Sequence, residues 1–106
     1  MHIFDKISSN VVRGSCYYNC VDGILEARID FNKAFQFISE LQELLIAAIK
    51  QRLGDKVRQV YILPYYGGDK GGNPYRFFLN IEAGDEVLLH SLMADLGIQE
   101  NLDDSK

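Results

Sequence analysis

Asp22-Gly23 stands between two runs of alternating residues, and no other feature constrains the fold of this chain as strongly. An Asp-Gly connection suits the right-handed twist of two antiparallel strands, because both of its residues tolerate positive φ. In the run before it, Val12, Cys16, Tyr18 and Cys20 share one face, while Arg13, Ser15, Tyr17 and Asn19 share the other. In the run after it, Leu25, Ala27, Ile29 and Phe31 alternate with Glu26, Arg28 and Asp30. Period two with one apolar side predicts a hairpin that packs on one face and is wet on the other.

Asn32 is placed to cap a long helix through K-A-F-Q-F-I-S-E-L-Q-E-L-L-I-A-A-I-K-Q-R-L, which Gly54 stops. Ala34, Phe37, Ile38, Leu41, Leu44, Leu45, Ala48 and Ile49 form its central stripe, with Phe35, Ile46 and Leu53 on the shoulder. The apolar arc spans roughly 200°, against the ~100° that one contact face requires. A second helix of the chain or a partner subunit is therefore expected over the shoulder.

V-R-Q-V-Y-I-L-P-Y-Y then reads as a strand, and Y-R-F-F-L-N-I-E as the strand that returns. Pro64 lacks an N–H, so it marks an edge, a bulge or an early end of pairing. Gly84, Asp85 and Glu86 open a shorter helix that Gly97 closes, with Met93 and Ile98 spaced for the apolar contact of a Schellman ending. The expected class is α+β in ββαββα order, an antiparallel sheet with two helices packed on one face and an aromatic-rich opposite face. A short strand at His2 to Ile7 is an optional first element. The domain is expected to cover residues 1–98, with a polar tail over 99–106.

A chain of 106 residues with 47% apolar and 25% charged side chains is long enough for one self-sufficient core. Its 15 acidic against 11 basic residues leave a net charge of −4, which argues against duplex DNA as a partner. The N-terminus has no signal-peptide pattern, and the stretch Leu41 to Leu53 is interrupted by Gln42, Glu43, Lys50, Gln51 and Arg52, short of a membrane span. A cytoplasmic protein without membrane contact is expected. Cys16 and Cys20 on one strand would lie about 13 Å apart, too far for a disulfide.

No motif rises to a reaction class. The cluster from Tyr65 to Tyr75, Y-Y-G-G-D-K-G-G-N-P-Y, lacks the G-K-[ST] ending of a phosphate loop and leads into a strand instead of a helix. It reads as a hairpin tip in which Lys70, Tyr66 and Tyr75 are the contact candidates. With His2 and His90 as the only histidines, the C-Y-Y-N-C spacing nominally suits a zinc pair, but an extended strand and the polar-side position of His90 argue against a site, and no base is spaced to activate either thiol. Neither catalytic residues nor a metal site nor a cofactor is assigned.

The most informative constellation is the face opposite the helices. If Val60, Ile62, Tyr75, Phe77, Leu79 and Ile81 point inward, then Tyr61, Leu63, Tyr65 and Phe78 point outward beside Tyr17, with Arg13, Arg28 and Arg76 nearby. Aromatics and arginines in such a place suit a protein interface. The expected function is a non-catalytic interaction module, dimeric or bound to another protein through this face or through Phe35, Ile46 and Leu53 on the helix shoulder. It would belong to the accessory, inhibitor or immunity-like class. One alternative is single-stranded nucleic-acid binding on the same face. Another is a small-molecule or enzymatic pocket under the glycine loop.

Overall fold

A computed structural model describes residues 3–32, 38–65 and 75–101, without the side chains of Ile38 and Tyr65. The hairpin forms as the Asp-Gly pair requires. β1 (Tyr17–Val21) and β2 (Ile24–Phe31) pair antiparallel, and Asp22 and Gly23 take φ values of 55° and 77°. Gly23 is also needed for space, since a Cβ there would sit 2.8 Å from the Ala83 carbonyl oxygen.

β3 (Val57–Tyr65) and β4 (Tyr75–Ala83) form the second antiparallel pair, and β4 joins β2. The sheet order is β3-β4-β2-β1-β5, where β5 (Gln99–Glu100) lies parallel to β1. The architecture is thus α+β with a mostly antiparallel five-stranded sheet, and the expectation of a purely antiparallel sheet is corrected by this one parallel pair. The physical reason is the helix before β5, which returns the chain alongside Tyr17 in the direction of β1. Gln99 and Glu100, read as the start of a polar tail, therefore extend the sheet, and the Asn101 amide donates to the Tyr18 carbonyl at 2.8 Å. Residues 102–106 lie outside the described residues.

The main helices are α2 (Ile38–Leu53) and α3 (Glu86–Leu96). Asp85 caps α3 by accepting from the Leu88 amide at 3.2 Å, which satisfies one of the donors left open at a helix start. At the other end Gly97 takes φ +83°, and the Ile98 amide reaches the Met93 carbonyl at 3.0 Å, the Schellman ending that the spacing predicted. Gly54, at φ +57°, terminates α2 and leads into a short 3-10 turn, Gly54–Lys56. The expected cap at Asn32 concerns a helix start that falls on residues 33–37, outside the described residues.

Two N-terminal expectations are corrected. Ile3–Ser8 is a helix, α1, where the sequence allowed a short strand over His2 to Ile7 as an optional element, because docking on the core buries Phe4 and Ile7 four and one residues before its end. Arg13–Ser15 is a 3-10 turn, so the alternation read from Val12 onward begins only at Tyr17.

The core lies between the sheet and the helices. Leu25, Ile29, Phe31, Phe77 and Ile81 of the sheet are sealed by Leu41, Leu45 and Ile49 of α2 and by Leu89, Leu92 and Leu96 of α3. Arg52 ties the three helices together: its guanidinium lies 4.6 Å from the Phe4 ring centre, bonds Asp95 at 2.6 Å and donates to Ser91. No described helix is long and apolar enough to cross a membrane.

Candidate functional site

The strand registers turn the face opposite the core into a grid. Tyr17 pairs with Arg28, Arg28 with Phe78, and Phe78 with Leu63, so these residues form one row across β1, β2, β4 and β3. The next row runs Asn19, Glu26, Asn80 and Tyr61. Side chains two apart on a strand share a face, so both rows look away from the helices. They surround a shallow hollow of about 360 Å³.

Large apolar groups are exposed here: Tyr61 by 53%, Leu63 by 62%, Phe78 by 41% and Tyr17 by 38%. Their strand neighbours Phe77 and Ile81 are fully buried, which fixes the face assignment by alternation. The Arg28 guanidinium lies 4.9 Å from the Tyr17 ring centre and donates to the Ser15 carbonyl through Nε at 3.1 Å and NH2 at 2.9 Å. The 3-10 turn is thereby anchored beside the row. In the polar row, Asn80 donates to Glu26 at 3.5 Å, and Tyr61 Oη receives a bond from Gln59 at 2.7 Å.

A third row joins Asp30 to Arg76. The carboxylate accepts from Arg76 Nε at 2.7 Å and NH2 at 3.1 Å, and Asp30 is 1% exposed. Arg76 is therefore a structural partner of a buried carboxylate, and Arg13 sits exposed in the 3-10 turn. Neither Arg28 nor Arg76 projects an uncommitted charge from this face.

The shoulder candidates separate. Leu53 is 2% exposed and belongs to the core, whereas Ile46 is half-buried beside β3. Tyr75 is partly buried against the core, in place of projecting from a loop. Phe35, Tyr66, Lys70 and the glycine cluster lie outside the described residues, as does the side chain of Tyr65. Asn19, Glu26 and Asn80 were missed by sequence reasoning, because a polar residue on a strand gains meaning only when register places it beside others.

The groups that could do chemistry are otherwise engaged. Cys16 is buried, its thiol donating to the Val12 carbonyl at 3.1 Å, and burial pushes its pKa up. Burial, then the neighbouring Glu86 carboxylate, pushes the Cys20 thiol up to about 11. His90 Nδ1 shares a 2.7 Å hydrogen bond with the Tyr18 hydroxyl, whose pKa burial also raises. Both thiols are held in their unreactive protonated form at neutral pH. Among the described residues no group of three metal-ligating side chains converges.

Comparisons with protein-family models, curated proteins and solved structures gave no match.

Proposed function

We propose that this chain is a small non-catalytic interaction module that self-associates and presents the open face of its sheet to a protein partner, in the manner of accessory, inhibitor or immunity-like proteins. The observation that carries the reading is the exposed apolar cluster of Tyr17, Tyr61, Leu63 and Phe78 on one face. Contiguous exposed apolar groups are uncommon on soluble monomers, and aromatics rimmed by polar groups are the usual composition of an interface centre. Asn19, Glu26 and Asn80 supply that polar side, and their acidic bias favours a partner with donors or basic groups. Reduced thiols at Cys16 and Cys20 suit a cytoplasmic setting.

Single-stranded nucleic acid is the competing occupant, and the stacking of Arg28 on Tyr17 beside Phe78 is what supports it. Against it stand the engagement of Arg28 by Ser15, the pairing of Arg76 with Asp30 and the presence of Glu26 on the face. Phosphate contacts need uncommitted cations. Affinity capture from the source cells with the wild-type chain and with Tyr17→Ala/Phe78→Asp tests the proposal. A protein retained by the wild type and lost by the variant is expected. Salt-sensitive binding of mixed single-stranded oligonucleotides, lost in the same variant, would replace it with the nucleic-acid reading.

A further inference from the structure

β3 is the outer strand of the sheet, and α2 runs beside it. Between them lies an apolar groove of about 270 Å³ lined by Gln42, Ile46, Ile49, Lys50, Val60 and Ile62. Val60 and Ile62 point to the helix side of the sheet, yet they and Ile46 are only half-buried. Both faces of the β3 edge are thus apolar: this groove on one side, Tyr61 and Leu63 on the other.

We propose that the β3 edge and the α2 groove pair with the same surfaces of a second copy of this chain, about a two-fold axis passing Tyr61 and Ile46. The inference rests on the self-association in the function proposed above and names its surface.

The first argument is the edge itself. An outer strand offers a row of backbone donors and acceptors to any chain that can lie beside it, and proteins commonly guard such rows with charges or proline. From Gln59 to Leu63 β3 has neither; Arg58 and Pro64 bracket that stretch and limit pairing to it.

The second argument is level. Tyr61 is the central residue of β3 (Val57–Tyr65), and Ile46 lies at the middle of α2 (Ile38–Leu53). The groove brings Ile46 together with Val60 and Ile62, the residues flanking Tyr61. One two-fold axis at that level therefore sets the strand and the helix antiparallel to their copies simultaneously. Val60 then lies opposite the partner's Ile62, and Ile46 approaches the partner's Ile46.

The third argument is charge. Glu43 and Lys50 are exposed, three residues before and four after Ile46, on the same side of the helix. Neither enters an ion pair among the described residues. An antiparallel copy sets Glu43 beside the partner's Lys50, and Lys50 beside the partner's Glu43. A parallel copy would instead oppose like charges, so the pattern selects the antiparallel arrangement. On the opposite side of the joined sheet the two Tyr61 side chains would meet, with Leu63 of each copy opposite the partner's Gln59, so that the two apolar patches join into one larger surface.

Sedimentation velocity at micromolar concentration tests this, with Glu43→Lys, Lys50→Glu, the double reversal, Ile46→Glu and Phe78→Asp, each checked for unchanged circular dichroism. The wild type is expected to be a dimer. Each single reversal should weaken it about tenfold, since two attractive pairs become repulsive, and the double reversal should restore it to within about twofold by recreating both pairs. Ile46→Glu should give a folded monomer, and Phe78→Asp should leave the dimer in place. A monomeric wild type would overturn the self-association reading and this inference together. A dimer lost in Phe78→Asp but indifferent to Ile46→Glu would overturn this inference alone, and so would a double reversal that fails to restore what the single reversals weaken.

Discussion

Asp30 is the one charged residue buried among the described residues, and the two-bond contact with Arg76 makes that burial tolerable. Removing one member of a buried pair leaves the other charge without compensation, which costs more than the pair itself contributes. Arg76→Ala should therefore destabilise the fold by about 3 kcal/mol, toward the low end for such pairs because Arg76 is partly exposed and water can reach the carboxylate. Asp30→Asn, which leaves only a solvent-reachable guanidinium, should cost less, about 1 kcal/mol. Urea unfolding of the two variants reads the order directly. Cys20 makes a second claim at this scale. Its pKa in the folded chain is raised from 9.0 to about 11, so the folded state holds the proton more tightly than the unfolded chain does. The resulting stability is complete below pH 9 and is lost as pH rises toward 11. Cys20→Ser should flatten that alkaline decline, and peptide-resolved iodoacetamide labelling should find Cys20 slow at pH 8, speeding up only as pH approaches 11.

At the scale of elements, two glycines make different demands. Gly97 takes φ +83° at the end of α3, but a Cβ there meets only Ser8 Cβ at 3.8 Å, an ordinary contact. Gly97→Ala should cost about 1 kcal/mol, the conformational penalty alone. At Gly23 the positive φ is joined by the 2.8 Å approach to the Ala83 carbonyl oxygen, and backbone at the turn or at the end of β4 would have to move. Gly23→Ala should cost at least about 2 kcal/mol, and thermal unfolding of both variants should rank them so.

These elements also show what could be read from residues alone. The Asp22-Gly23 hairpin, the capped α3 and the outward set Tyr17, Tyr61, Leu63 and Phe78 were legible, because turn chemistry, capping and alternation are local. α1 was not: Ile3, Phe4 and Ile7 fit a short strand or a helix equally, and only docking against the core decides between them. β5 has two polar residues and no pattern of its own; it exists because α3 returns the chain beside β1. The turn at Arg13–Ser15 interrupted an alternation that looked continuous. Leu53, an interface candidate on the helix shoulder, is covered within the chain itself, because a helix wheel gives an angle and not the neighbour that fills it. The rows of the open face required register, which no single strand encodes.

At the scale of the molecule, two surfaces remain apolar after folding. The helices cover one face of the sheet but leave Val60 and Ile62 of β3 half-buried; the other face keeps its aromatics exposed. A chain with net charge −4 can carry such surfaces and stay dispersed, and in the proposed dimer the order of Glu43 and Lys50 favours an antiparallel copy. The proposed partner face and the proposed self-pairing edge adjoin at Tyr61 and Leu63, so a dimer should bind its partner more tightly than a forced monomer does. Capture with Ile46→Glu should accordingly be weaker than with the wild type, although no residue of the open face is changed.

Amide hydrogen exchange of the wild-type chain at low and high micromolar concentration tests the β3 pairing, because it reads every segment of the surface at once. Exchange is expected to slow with concentration in β3 and along the exposed side of α2, while β1 and β2 stay unchanged. Identical exchange in β3 at both concentrations, in a chain that sediments as a monomer, would contradict it.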